Sequence, residues 1–122
     1  MVKSLRTVFL GLGGLFFFGS AAFAPASIYD IEVQDITGHT VSMSRYKGKV
    51  LLIVNVASKC GLTPQYADLQ AIHEAYKEEG LMVLGFPANN FMNQEPGSDE
   101  KISAFCSTKY GVTFPMFSKI SV

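Results

Sequence analysis

Apolar and polar residues form short blocks along most of the chain, and these blocks predict an alternation of strands and helices. Residues 28–33 alternate apolar and polar side chains, which predicts a short strand, with Thr37-Gly38 as a turn and residues 40–43 as its hairpin partner. Val50–Val56 is an apolar run rich in β-branched residues, which predicts a strand buried on both faces. Residues 81–86 predict a second buried strand.

Two helices are predicted between and after these strands. The first is indicated by apolar side chains at helical spacing, namely Tyr66, Leu69, Ile72 and Tyr76. Gly80 predicts its C-terminal end, and Ser98 predicts the cap of the second helix. In that second helix Ile102, Phe105 and Cys106 share one face. The order of strands and helices predicts an α/β fold, with helices packed on a sheet that contains parallel strands.

The last residues predict a turn at residues 114–116 and the beginning of a strand at 120–122. Because the chain stops inside this apparent strand, we expect the sequence to be truncated relative to a complete domain. The alternative is a short strand that closes the protein.

The N-terminal segment has the pattern of a secretory signal peptide. Two basic residues precede an apolar run at residues 8–18, and a stretch of small residues follows at 19–24. The alternative is an uncleaved membrane anchor, but the apolar run is short for a membrane span. We therefore expect residues 1–24 to be removed and the domain at 25–122 to be exported, to the periplasm or outside the cell, without stable membrane association.

Charge and composition exclude several functional classes. Ten basic residues balance ten acidic ones, which gives no indication of nucleic-acid binding. The sequence has no phosphate-binding loop or dinucleotide motif, so no cofactor is expected. His39 and His73 lack the spacing of metal ligands, and we expect both at the surface.

Cys60 has the sequence context of a reactive thiol. It follows a predicted buried strand and precedes a predicted helix, where backbone N–H groups and the helix dipole stabilise a thiolate. Lys59 adds a positive charge, and Gly61 would allow the backbone to turn close to the sulfur. Thr63 stands where a C-x-x-C motif would have its second cysteine, which leaves a single attacking thiolate, as peroxide chemistry requires.

Cys106, the other cysteine of the chain, has two interpretations from spacing alone. It can be a resolving thiol that forms a disulfide with oxidised Cys60. It can equally be a small core residue on the apolar face with Ile102 and Phe105. In an exported protein a purely structural disulfide is also the default for two cysteines.

Three segments resemble signatures of the glutathione peroxidase family. They are NVASKCGLT at residues 55–63, GFPANNFMNQEPG at 85–97 and FPMF at 114–117. This resemblance implies a thioredoxin-like fold, incomplete at the C-terminus, and the reduction of hydrogen peroxide or organic hydroperoxides. It also implies that Cys60 is the peroxidatic residue and that the amide of catalytic Gln94 hydrogen-bonds its sulfur.

The resemblance further places Cys106 at the resolving position of the two-cysteine, thioredoxin-dependent branch. A Cys60–Cys106 disulfide would then be reduced by a thioredoxin-like protein, with glutathione as the alternative reductant. The chain departs from the signatures at Ala88, Asn90 and Met92, the last of which stands where glycine is usual. The family's catalytic Trp and Asn would lie beyond the last residue. The alternatives are a redox relay or sensor, or an inactive truncated product with a structural disulfide.

Overall fold

The computed structural model describes residues 27–122, so the predicted signal peptide at 1–24 lies outside the described residues. The strands are β1 (Glu32–Gln34), β2 (Thr40–Ser42), β3 (Val50–Val56) and β4 (Leu81–Pro87). The α-helices are α1 (Tyr66–Tyr76) and α2 (Asp99–Tyr110). Short 3₁₀ helices lie at Ile28–Asp30, Met43–Tyr46, Thr63–Gln65 and Lys77–Glu79.

The first two strands form the predicted hairpin. They pair antiparallel with Val33 opposite Val41, and Gly38 in the turn has a φ of 86°, in the left-handed region that glycine adopts without a steric penalty. The strand is shorter than predicted because Ile28–Asp30 forms a 3₁₀ helix. Ser27 caps this helix, and its side chain accepts a hydrogen bond from the backbone N–H of Tyr29.

The third and fourth strands form the parallel pair that the sequence predicts. Their register runs from Val50 opposite Leu81 to Val56 opposite Pro87, and α1 lies between them in the chain. The prediction that β3 is buried on both faces is wrong, since Val50 and Ile53 are 67% and 46% exposed. Among the described residues β3 has a single sheet neighbour, β4, which leaves part of its surface uncovered.

The segment from Pro115 to Ile120 connects the hairpin to the parallel pair. The N–H of Gly85 donates to the carbonyl of Pro115 at 3.0 Å, and the N–H of Phe117 donates back to Gly85 O at 2.9 Å. On its other side Ser118 N–H donates to Gln34 O at 2.9 Å. The turn predicted at 114–116 is present as a bend at Phe114, and the strand predicted to begin at residue 120 is present as a single parallel bridge between Ile120 and Ala88. The segment forms isolated bridges and no strand, because Asp35, Gly85 and Ala88 pair with it at separate points.

Helix α1 buries only the first part of the face that apolar spacing predicts, where Leu69 also packs against the core. Tyr66 is buried, but Ile72 and Tyr76 are 37% and 49% exposed. His73 is 5% exposed, which contradicts its predicted surface position. The reason is tertiary, since Phe114 packs edge-on against His73 with 6.0 Å between ring centroids.

Helix α2 agrees with its prediction. Ser98 caps it, and Gly111 ends it with a φ of 59°. Ile102 and Cys106 are 1% and 2% exposed and belong to a buried apolar cluster that also includes Tyr66 of α1. This cluster places the second cysteine in the core between the helices and the sheet.

Candidate active site

The loop between β3 and α1 carries Cys60 and is shaped by Thr63. The Cys60 N–H donates to Thr63 Oγ1 at 2.8 Å, and Thr63 Oγ1 donates to the carbonyl of Ala57 at 2.9 Å. Thr63 is 7% exposed and begins the 3₁₀ helix that leads into α1. Thr63, which stands where a C-x-x-C motif would have its second cysteine, thus holds the loop together. The sequence pattern does not reveal this role.

The sulfur of Cys60 is half-buried and receives a backbone hydrogen bond. The Leu62 N–H lies 3.3 Å from Cys60 Sγ and points a donor at the position where a thiolate charge would reside. Neither steric space nor backbone conformation requires a glycine at position 61. A Cβ added to Gly61 would meet nothing within 4 Å, and the φ of this residue lies outside the left-handed region.

A cavity of about 310 Å³ opens beside Cys60. Gln94 lines the same cavity, so the structure brings together two of the three predicted site residues. The side-chain amide of Gln94 makes no hydrogen bond to Cys60 Sγ in this structure. Instead, its loop is joined to the Cys60 loop through the backbone, where Lys59 N–H donates to Gln94 O at 3.0 Å. Leu62, Leu69 and Phe91 make much of the wall apolar.

The loop that carries Gln94 contains two residues in the left-handed region. Met92 has a φ of 54° and Asn93 a φ of 53°. Asparagine tolerates this conformation, whereas at Met92 it costs about 1 kcal/mol relative to glycine. Asn90, another departure from the resembling signature, connects this loop to the last residues. Its side chain donates to Ser121 Oγ at 3.1 Å and accepts from Val122 N–H at 3.1 Å.

Glu95, next to Gln94, is a buried carboxyl group that sequence reasoning missed. It is 1% exposed, and its Oε2 accepts a hydrogen bond from Ser58 Oγ at 3.1 Å. Burial raises the pKa of Glu95, while hydrogen bonds from Ser58 and the charge of Lys119 act in the opposite direction. The sequence feature that could have pointed to Glu95 is its position beside Gln94 within the second signature.

The backbone of Glu95 is also held from both sides. Its N–H donates to Asn89 Oδ1 at 2.9 Å, and Lys119 Nζ donates to its carbonyl at 3.2 Å. Lys119 Nζ also donates to Gly97 O at 2.7 Å. Polar contacts on both sides of Glu95 thus fix the loop after β4.

Cys106 does not join Cys60 in the cavity. It lies in the buried cluster of α2, and both cysteines are free thiols in this structure. Burial raises the pKa of the Cys106 thiol, the nearby Tyr66 hydroxyl lowers it, and the charge of Glu95 raises it further. Tyr66 lines the Cys60 cavity and also belongs to the buried cluster that contains Cys106.

The described part of the chain shows no other class of site. Within residues 27–122, no group of three or more His, Cys, Asp and Glu side chains is arranged to hold a metal ion. In the same range, no helix has the length and apolar character needed to cross a membrane.

Comparison with known proteins identifies the family. The family model described as glutathione peroxidase matches residues 28–122. The chain belongs to the glutathione peroxidase family. A relative from Escherichia coli K12, named thioredoxin/glutathione peroxidase BtuE, is 59% identical over 96 residues, which are 79% of this chain and 52% of the relative. The chain spans about half the length of the curated relatives it matches.

Solved structures support the same assignment. The crystal structure of Trgpx in its apo form matches 80% of this chain and 55% of its own chain, with a TM-score of 0.58 and 40% identity. A thioredoxin-family thiol:disulfide interchange protein from Chlorobium tepidum covers 82% of this chain and 64% of its own, with a TM-score of 0.62 and 15% identity. The second match concerns the fold alone. The predicted family and the predicted thioredoxin-like α/β fold are both confirmed.

Proposed function

We propose that this protein is a thiol peroxidase in which Cys60 reduces hydrogen peroxide or organic hydroperoxides. The observation that carries the proposal is the environment of Cys60 Sγ. It receives the Leu62 N–H at 3.3 Å and faces a cavity that Gln94 also lines. Membership of the glutathione peroxidase family supports the same chemistry.

In the first step the Cys60 thiolate attacks one oxygen of the hydroperoxide. A sulfur–oxygen bond forms and the oxygen–oxygen bond breaks. The leaving hydroxide or alkoxide takes up the proton that the Cys60 thiol released, so water or an alcohol is the product. The Leu62 N–H is in place to stabilise the thiolate before the attack. Gln94 would supply a second donor after a change of side-chain rotamer, because it already lines the cavity.

In the second step the Cys106 thiol would attack the Cys60 sulfenic acid to form a disulfide. Cys106 is 2% exposed within α2 and does not line the Cys60 cavity, so this step requires local loosening of that helix. A thioredoxin-like protein would then reduce the disulfide, with glutathione as the alternative. The name of the Escherichia coli relative includes both thioredoxin and glutathione.

Intact-mass measurement of the reduced protein after one equivalent of hydrogen peroxide tests both steps. We expect wild type to lose two hydrogen atoms, and Cys106→Ala to gain one oxygen atom at Cys60. The matched control, Cys60→Ser, should do neither. Absence of a rapid reaction at Cys60 would overturn the peroxidase, whereas oxidation of Cys60 without a disulfide in wild type would overturn only the resolving role of Cys106.

We also propose that the protein is exported, on the basis of the basic, apolar and small-residue pattern of residues 1–24. Expression with a C-terminal tag in a bacterial host, followed by fractionation and N-terminal sequencing, tests this. A tagged protein that stays inside the cell and still carries Met1 or its first residues would contradict export.

A further inference from the structure

Tyr66 is the first residue of α1 and has a buried hydroxyl group without a hydrogen-bond partner among the described residues. Its side chain is 2% exposed. An unpartnered buried hydroxyl costs free energy, which makes this group a candidate for a function that the resting state does not satisfy.

The ring of Tyr66 is held against the face of α2 that contains Cys106. It stacks on Tyr110 with 5.4 Å between centroids and meets the edge of Phe105 at 6.4 Å. Cys106 and Tyr110 are four residues apart on the helix and therefore lie on the same face. Tyr66 and Cys106 also belong to one buried cluster.

The surroundings of Cys106 are poor in groups that could stabilise a thiolate. Burial raises the pKa of its thiol, and the carboxyl group of Glu95, in the loop after β4, raises it further. The Tyr66 hydroxyl, from α1, acts in the opposite direction. Tyr110, on α2 itself, faces Tyr66. The resolving step nevertheless needs Cys106 as a thiolate, because the thiolate is the nucleophile in disulfide formation.

We propose that Tyr66 is a catalytic residue of the resolving step, in which its hydroxyl group donates a hydrogen bond to the Cys106 sulfur as the thiol loses its proton. This proposal rests on the proposed function of Cys60 and Cys106. The Cys106 thiolate attacks the Cys60 sulfenic sulfur, a sulfur–sulfur bond forms, and the sulfur–oxygen bond breaks. The leaving hydroxide takes up the proton that Cys106 released, so the products are a disulfide and water. Tyr66 keeps its own proton throughout.

The Tyr66→Phe variant tests this, because it removes the hydroxyl group and keeps the ring contacts with Phe105 and Tyr110. We expect disulfide formation after one equivalent of hydrogen peroxide to slow by roughly tenfold or more, the effect of losing a hydrogen bond to a charged group. Oxidation of Cys60, measured by quenched-flow mass spectrometry in a Cys106→Ala background, should slow far less than disulfide formation, which separates the resolving step from any effect of Tyr66 on the Cys60 cavity that it lines. Tyr110→Phe is the matched control and should form the disulfide at the wild-type rate.

A second measurement separates the role of the hydroxyl group from a change in packing. In a Cys60→Ser background, ultraviolet absorbance of the thiolate reports the titration of Cys106 without any peroxide chemistry. Tyr66→Phe should move this titration to higher pH, whereas a variant that merely loosened α2 would expose the thiol and move it to lower pH.

Three outcomes are distinguishable. An unchanged disulfide rate and an unchanged Cys106 titration in Tyr66→Phe would overturn the Tyr66 proposal and leave the peroxidase intact. A wild-type protein that oxidises Cys60 but forms no disulfide would overturn the resolving step and the role of Tyr66 with it. A wild-type protein whose Cys60 does not react with peroxide would overturn the proposed function itself.

Discussion

The Ser58 hydroxyl group donates a hydrogen bond to Glu95 Oε2 at 3.1 Å, and this bond joins the loop that carries Cys60 to the loop that carries Gln94. A backbone hydrogen bond from Lys59 N–H to Gln94 O runs beside it at 3.0 Å. Two loops that are distant in the chain are thus fixed to each other next to the cavity. Because Glu95 is 1% exposed, water cannot easily replace Ser58 as its partner.

The Ser58→Ala variant should therefore lose stability. Removal of a donor from a buried carboxyl group should lower the free energy of unfolding by roughly 1–3 kcal/mol, measured by urea denaturation. Ser107→Ala is a matched control, since Ser107 is exposed and bonds only to carbonyl groups of its own helix. It should change stability little.

A double-mutant cycle with Glu95→Gln tests whether the effect belongs to this pair. We expect the two substitutions to be non-additive, because Ser58→Ala removes this hydrogen bond and Glu95→Gln weakens it by removing the charge of the acceptor. Strictly additive losses would show that Ser58 stabilises the fold through some other contact.

A Gly85→Ala substitution in β4 should also destabilise the protein. A Cβ at this position would lie 2.6 Å from Met116 Sδ and 3.1 Å from the ring of Phe114. The methionine can move, but the ring is packed in the core, and such overpacking costs roughly 1–3 kcal/mol. Thermal unfolding should show a lower midpoint for this variant.

Gly61→Ala is the matched control for that experiment, because a Cβ there meets nothing within 4 Å. Its unfolding midpoint should stay near that of wild type. Equal midpoints for the two variants would contradict the packing argument.

Stability should fall at mildly acidic pH because of His73. Burial is the largest cause that lowers the pKa of His73 from its usual value of 6.5; the charge of Lys77 lowers it further, and the charge of Glu74 raises it. The unfolded chain therefore binds the proton more readily than the folded one. The stabilising contribution is complete above pH 6.5 and is lost as the pH falls through the folded-state pKa.

Comparison of wild type with His73→Leu isolates this effect. The difference in free energy of unfolding between them should shift in favour of the leucine variant as the pH falls below about 6.5. Lys77→Gln is the control, and it should retain most of the pH dependence because burial is the larger cause. A wild-type–leucine difference that stays constant across this range would contradict the argument.

Much of the fold could be predicted from local patterns. The apolar run of Val50–Val56 predicts β3, and the buried face of α2 with Ile102 and Cys106 follows from helical spacing. Gly38 and Gly80 mark turns because both have a left-handed φ that glycine adopts readily. These features depend on residues close together in the chain, and for that reason a single sequence predicts them.

The orientation of α1 could not be predicted in this way. Apolar spacing points to Ile72 and Tyr76, yet the structure buries His73. The partner that decides this is Phe114, which lies far along the chain in the segment that runs beside β4. Spacing shows that a helix is amphipathic, but the surface it meets depends on tertiary packing.

The sequence by itself determined the family, because the signatures around Cys60 and Gln94 are contiguous in the chain. Only the tertiary structure decided which other side chains lie around the predicted site. The hydrogen bond between Ser58 and Glu95 joins two residues that are far apart in the chain. Tyr66, which lines the Cys60 cavity, likewise packs in one buried cluster with the distant Cys106. Burial and hydrogen bonding depend on the neighbours of an atom in space, and those neighbours exist only once the chain has folded.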